Sequence, residues 1–503
     1  MTRRIKALLA LLLALAFVVS TASCGKKNEE GTSSTPDVSG ENTEVSDVSE
    51  FISELISQPD DESSQPEETS KLHLIPADTF SDTADDGSAQ RDPEYVSVNY
   101  ESMRGIWLDQ FSMTSIYKGG NGQKPEENYT RMITKVCKGI ADAGFNTIIV
   151  QVRPNGDSFY PSEFYAPSHF TVGKYGNEFE YDMLKIFIEI AHSYGLSFHA
   201  WVNPMRLTAG PNLNIMGDQY PLTQWYKDEA KRASNLSEYD GLYYLIPGVQ
   251  ENKELVWNGV TEICTNYNVD AVHIDDYFYP TMEDSFDDAH WTQVAEEYNI
   301  TGNELLDRRQ YRLDQVNSLV KGMYDAVKAV DETIWFGISP AGNISNNMNA
   351  LFADVYSWGS TEGYCDYLVP QVYWGFEHPT NSCKFDVCTK AWMDLCTSDA
   401  VRLIIGIGIY RIKDSGQEAF KEYATNKDVT KRQLEFLETT GNNEGFVFYT
   451  YSTMFNTSGT LQGIQEERKN FMPTLKAFGG EDAYKVVALS DNNAEDTSEE
   501  ASK

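Results

Sequence analysis

Eight short apolar runs recur in step with amphipathic stretches between residues 104 and 477, and few folds accommodate that alternation. The runs are RGIWLDQ (104–110), NTIIVQVR (146–153), LSFHAWVN (196–203), VDAVHIDD (269–276), TIWFGISP (333–340), DYLVPQVYW (366–374), RLIIGIGIY (402–410) and GFVFYTYS (445–452). Each is rich in β-branched and aromatic residues and bounded by turn formers, the signature of a strand. Helical periodicity falls between them at 127–143, 181–194, 253–267, 304–330, near 350–362, 384–398, 416–439 and near 462–477. Strand and helix in strict alternation predict an α/β chain with a parallel sheet, and eight of each is the count of a single (β/α)₈ TIM-type barrel. An open doubly wound sheet needs fewer elements and a G-x-G-x-x-G turn after its first strand, which this chain lacks.

The ends of the chain read differently. Arg3, Arg4 and Lys6 precede an apolar run from Ala7 to Val19 and then small residues up to Cys24. That is the layout of a signal peptide, and its apolar stretch is too short for an ordinary spanning helix of about 20 residues. Cys24 after small residues resembles a lipoprotein processing site, with Thr21 where such sites usually carry Leu; plain secretion is the alternative. The expected layout is a signal peptide at 1–23, a disordered acidic Ser/Thr/Pro-rich stalk at 24–100, the barrel at 101–478 and an acidic disordered tail at 479–503. Stalk and tail carry too few apolar residues to offset the entropy of ordering them. An extracytoplasmic, membrane-anchored protein is expected. The formal net charge of −36 argues against nucleic acid or an anionic glycan as a steered partner. Six cysteines follow Cys24 in no metal-finger spacing, and either disulfides or buried thiols would accommodate them.

Barrel active sites form at the C-terminal ends of the strands, and two long excursions, 204–252 and 277–303, leave from those ends. Side chains alternate across a strand, so the tips predict an inward set. It comprises Trp107 and Asp109, Gln151 and Arg153, His199, Trp201 and Asn203, His273 and Asp275, Ser339, Gln371 and Tyr373, Tyr410, and Tyr449 or Tyr451; Trp374 follows at the sixth tip. Aromatics with amides, Arg and carboxylates suit a polyhydroxylated ring, whose C–H faces stack while its hydroxyls hydrogen-bond. A phosphate cradle would want Gly-rich backbone instead.

Glycosidic cleavage needs two carboxyl groups. Asp275, delivered to the fourth tip beside His273, is the candidate nucleophile or charge stabiliser. Asp276, Glu377 and Asp157 are candidate acids, although Asp157 could cap its turn, Asp276 its loop, and Glu377 could be solvated. No cofactor is expected, and a metal site at His273, Asp275 and Asp276 would lack ligands.

RGIWLDQ (104–110), AGFNTIIVQVRPNGDSFYPS (143–162), HAWVNPMR (199–206), VDAVHIDDYFYP (269–280), FGISPAGN (336–343) and DYLVPQVYWGFEHP (366–379) together resemble the bacterial glycosyl-hydrolase-like family 10 lipoproteins. The resemblance implies a (β/α)₈ barrel and a glycoside hydrolase acting on envelope or extracellular polysaccharide, some relatives being associated with peptidoglycan glycan strands. It extends to Asp275, Asp276 and Asp157 as site residues; Glu377 rests on the strand count alone. A noncatalytic glycan-binding or envelope-scaffold protein on the same barrel is the rival, and metal-assisted hydrolysis such as deacetylation a third reading.

Overall fold

A computed structural model describes residues 90–295, 304–441, 444–455 and 463–487. The signal peptide, Cys24, the stalk up to residue 89 and the tail beyond 487 lie outside the described residues.

The eight strands are β1 (Met103–Leu108), β2 (Thr147–Arg153), β3 (Ser197–Val202), β4 (Ala271–Ile274), β5 (Trp335–Ile338), β6 (Tyr367–Leu368), β7 (Arg402–Ile407) and β8 (Gly445–Phe448). Each pairs in parallel with its sequence neighbour. The first half of β7 pairs with β6 and its second half with β8, and β8 in turn pairs with β1, which closes the ring. The helices α1 (Glu126–Asp142), α2 (Met183–Ser193), α3 (Gln250–Asn266), α4 (Glu304–Val330), α5 (Val355–Ser360), α6 (Phe385–Leu395), α7 (Val429–Thr440) and α8 (Ile464–Ala477) follow the strands in order. The chain is therefore a (β/α)₈ TIM-type barrel; most elements lie near the predicted spans, but the strand expected at 366–374 is confined to Tyr367–Leu368, and the helix expected at 416–439 begins only at Val429, after short helical turns.

Alternation sorts the strand residues into two cores. Ile106, Leu108, Ile148, Val150, Phe198, Ala200, Val272, Ile274, Phe336 and Ile338 face the helices. Met103, Trp107, Ile149, Trp201, Ala271, Tyr367, Val369, Ile404 and Val447 fill the barrel interior. Large inward rings need small partners. A Cβ on Gly337 would lie 1.9 Å from the Tyr367 ring, and one on Gly406 would press on Trp107.

The barrel extends past the boundaries at 101 and 478. Residues 90–100, expected in the stalk, pass beneath the N-terminal end of the strands. Arg91 pairs with Asp331 at 2.7 Å, Tyr95 Oη donates to Asp270 Oδ1 at 2.6 Å, and the Val98 N–H donates to the same oxygen at 2.7 Å. Residues 480–484, expected in the tail, form a 3₁₀ turn, and Val486 bridges to Tyr100. Polar fastening of this kind leaves no apolar period in the sequence. The six cysteines after Cys24 form no disulfide with one another, and five of them are buried.

At the opposite end, the β3–α3 excursion folds into three short helices and a hairpin, Leu236–Tyr239 with Leu242–Leu245. The β4–α4 excursion is pinned to α4 by Arg308 and Arg312, which both pair with the buried Asp287.

Candidate active site

Asp275 sits at the tip of β4 with only 4% of its surface exposed. Its Oδ2 accepts from Trp201 Nε1 at 3.1 Å and from Asn203 Nδ2 at 2.6 Å, both delivered by the end of β3. Burial, and then the neighbouring Asp276, push the Asp275 carboxyl up to about 8. Asp276 is half-buried, and burial pushes it up to about 6 against the opposing hydrogen bond from Gln371. Two adjacent carboxyl groups in a site of low polarity disfavour each other's charge, and burial raises both, Asp275 the more.

Aromatic rings surround the pair. Tyr373 is stacked on Tyr449 at 5.8 Å and meets Tyr410 edge-on at 5.8 Å; Tyr410 meets Tyr449 at 5.5 Å. The electrostatic environment of Tyr373 includes both aspartates. Trp107 lies under these rings, 6.3 Å from Tyr373 and 6.1 Å from Tyr449. Tyr277 is the most exposed of the group at 43%, and the Arg206 guanidinium stacks on its ring at 5.2 Å. Tyr277 and Arg206 are site residues that strand alternation misses, because both lie past the last paired residue of their strands. The Tyr277 signal was the continued two-residue period after Asp275. Of the alternatives at the eighth tip, Tyr449 faces the mouth and Tyr451 belongs to the helix-facing core.

Trp201 and Asn203 bond Asp275, Gln371 bonds Asp276, Tyr373 lies beside both, Tyr410 packs on Tyr373, and Gln151 joins through Asn203. Others do not. His199 and His273 are inward but wholly buried, beneath the mouth. Trp107 Nε1 can only donate, so it fixes His273 Nε2, 3.3 Å away, as an acceptor. His273 Nδ1–H then donates to Tyr367 Oη at 3.1 Å, Tyr367 Oη–H to His199 Nδ1 at 2.7 Å, and His199 Nε2–H to Asn99 Oδ1 at 2.9 Å. Burial lowers both imidazoles, His199 to about 4, so both are neutral. Alternation gives the face of a strand and not the depth, and these two lie one layer too deep to meet a sugar.

Arg153 is a correction of face. The β2–β3 register shifts between Gln151 and Arg153, and such a bulge sends the next side chain to the other side. Its guanidinium lies 4.4 Å over the Tyr165 ring and against Gly259 of α3, away from the mouth. Asp109 is a helix cap: its Oδ1 accepts from the N–H groups of Phe111 and Ser112 at 3.0 Å, and its Oδ2 from Thr450 Oγ1 at 2.6 Å. Asp157 is 0% exposed and accepts from the Asn155 N–H and Tyr175 Oη, both at 3.0 Å, fastening its loop with no surface open to a substrate. Glu377 is an exposed loop residue whose N–H donates to Glu422, and it shares no hydrogen-bond partner with Asp275 among the described residues. Trp374 packs on Ile412, Phe420 and Tyr423 in a cluster outside the barrel lumen. Among the described residues no three His, Cys, Asp or Glu side chains converge as a metal site would require.

A profile of the family described as glycosyl hydrolase-like 10 matches residues 102–425, which carry β1 to β7 and every mouth residue above except Tyr449. The chain belongs to the glycosyl hydrolase-like 10 family. It is 30% identical over 384 residues to glycosyl hydrolase YngK of Bacillus subtilis (strain 168), covering 70% of this chain and 68% of that one. Glycosyl hydrolase DigH of Escherichia coli (strain K12) is 26% identical over 353 residues, covering 65% of this chain and 77% of its own. Among solved structures, the PgaB (BpsB) glycoside hydrolase domain from Bordetella bronchiseptica superposes with a TM-score of 0.51 at 9% identity, covering 74% of this chain and 99% of that domain, a likeness of fold.

Proposed function

We propose that this protein hydrolyses O-glycosidic bonds of a cell-envelope or extracellular polysaccharide, tethered to the outer face of the membrane through Cys24. The observation that carries the reading is the Asp275–Asp276 pair at a tyrosine-lined barrel mouth, with Asp275 held by Trp201 and Asn203 and both carboxyls raised by burial. A glycosidase needs one protonated and one ionised carboxyl. The more strongly raised group, Asp275, is the proton donor to the leaving oxygen, and Asp276 is the carboxylate that attacks the anomeric carbon or activates water. That order reverses the roles expected from the strand position alone, because it is burial that keeps the proton on Asp275. Asp157 and Glu377 take no part. Gln371 orients Asp276, and Tyr277, Tyr373, Tyr410 and Tyr449 supply faces for sugar rings.

Incubating the purified protein with a panel of extracellular polysaccharides and peptide-free glycan strands, and reading new reducing ends by mass spectrometry, tests the proposal. Saccharide binding without bond cleavage would favour the scaffold reading. Lipid labelling in a bacterial host, lost in Cys24→Ser, tests the tether.

A further inference from the structure

We propose that Gln151, which touches neither aspartate, is a positioning residue: it locks the Asn203 side-chain amide with its N–H₂ toward Asp275. The inference rests on the catalytic reading of Asp275 and adds a residue that sets how that group works.

The Gln110 backbone N–H can only donate, and it lies 2.9 Å from Gln151 Oε1. That contact fixes the Gln151 amide, so its Nε2 is the atom 2.7 Å from Asn203, whose facing atom must then be Oδ1. With Oδ1 engaged, Asn203 presents Nδ2 to Asp275 at 2.6 Å. The relay is anchored at its far end. Gln110 opens the helix Gln110–Tyr117, capped by Asp109, which in turn accepts from Thr450 just past β8. A continuous chain therefore crosses the tips of β8, β1, β2, β3 and β4. Gln151 and Asn203 are 4% and 1% exposed, so water does not readily replace either partner.

Without the Gln151 donor, Asn203 is free to turn and offer its oxygen, which can hydrogen-bond only to a protonated Asp275. The groups facing Asp275 are Asp276 and Tyr277 on its own strand tip, Arg206 and Trp201 from the β3 side, and Tyr373 past β6. None of them is altered by substituting Gln151.

The test uses Gln151→Met and Gln151→Leu, both of which remove the donor to Asn203 without adding a charge near Asp275. Asp275 titration is followed by ¹³C NMR of aspartate-labelled protein, and the pH profile of hydrolysis is measured in parallel. The expected result is an upward move of the Asp275 titration, and of the alkaline limb of the profile, by about one unit in both variants. At neutral pH kcat and KM each change less than about threefold, because Asp275 carries its proton there in the wild type and the variants alike. If Gln151→Met fails to fold, Gln151→Leu carries the test. An Asp275 titration unmoved in a folded variant overturns the relay. A wild-type protein that cleaves nothing would instead remove the catalytic reading, and the titration would still read the relay.

Discussion

Asn203 Nδ2 donates to Asp275 Oδ2 across 2.6 Å, joining the end of β3 to the end of β4 at the centre of the barrel mouth. That bond favours the ionised carboxylate while burial and Asp276 favour the neutral acid, and the balance leaves Asp275 near about 8. The pH profile of hydrolysis is therefore expected to be bell-shaped, with an acid limb near 6 from Asp276 and an alkaline limb near 8 from Asp275. Asn203→Ala should move the alkaline limb upward. A profile that keeps rising above pH 9 would contradict the assignment of Asp275 as acid.

The same raised carboxyl has a consequence for stability. An unfolded aspartate titrates near about 4, whereas folded Asp275 is pushed up to about 8. Between those values the folded protein holds a proton that the unfolded chain has released. Its contribution is thus fully present below about pH 4 and lost as pH rises to about 8. Thermal melting of the wild type should fall over this window more steeply than that of Asp275→Asn. Parallel slopes for the two proteins would count against the raised value.

Asp287 bonds Arg312 Nη2 at 2.6 Å and Nε at 2.9 Å, and also pairs with Arg308, with all three side chains at most 6% exposed. Asp287→Ala would remove the buried carboxylate shared by both guanidiniums, leaving Arg308 to Asp284 and Asp288 and Arg312 to Asp284 and the Met282 and Glu283 carbonyls; it is expected to cost about 2–3 kcal/mol, read by urea unfolding. A loss under about 1 kcal/mol would mean that the β4–α4 loop is not pinned by this network.

Tyr277→Ala should raise KM about tenfold on long oligosaccharides with little change in kcat, because the exposed ring is a stacking platform that holds none of the reacting protons. An equal fall in kcat and kcat/KM would place Tyr277 in the transition state instead.

Arg153 is predicted to be dispensable for hydrolysis. Its three guanidinium nitrogens have no hydrogen-bond partner among the described residues, and it lies against α3. Arg153→Met should leave kcat/KM within about twofold and leave stability unchanged or raised, since an unpaired buried cation is costly. A large rise in KM would return Arg153 to the mouth.

How much of this was legible beforehand follows from what a sequence period encodes. The ring of strands and the inward face at Trp107, Ile149, Trp201, Ala271 and Tyr367 come from a two-residue alternation that burial enforces on each strand. Arg153 broke the rule because a bulge adds a residue without changing composition. His199 and His273 have the right face at the wrong depth, and depth depends on the tilt of strands in a closed barrel. Asp157 and Glu377 sit in loops, where no period constrains direction. The strap at residues 90–100 was hidden because Arg91, Tyr95 and Val98 are held by hydrogen bonds to Asp331 and Asp270 and not by an apolar stripe.

The most direct measurement is turnover of a cleaved polysaccharide by Asp275→Asn and Asp276→Asn at neutral pH, with melting temperatures taken on the same samples. The pair mechanism predicts a fall in kcat of at least about a hundredfold in each folded variant. Unchanged turnover in Asp275→Asn would contradict it.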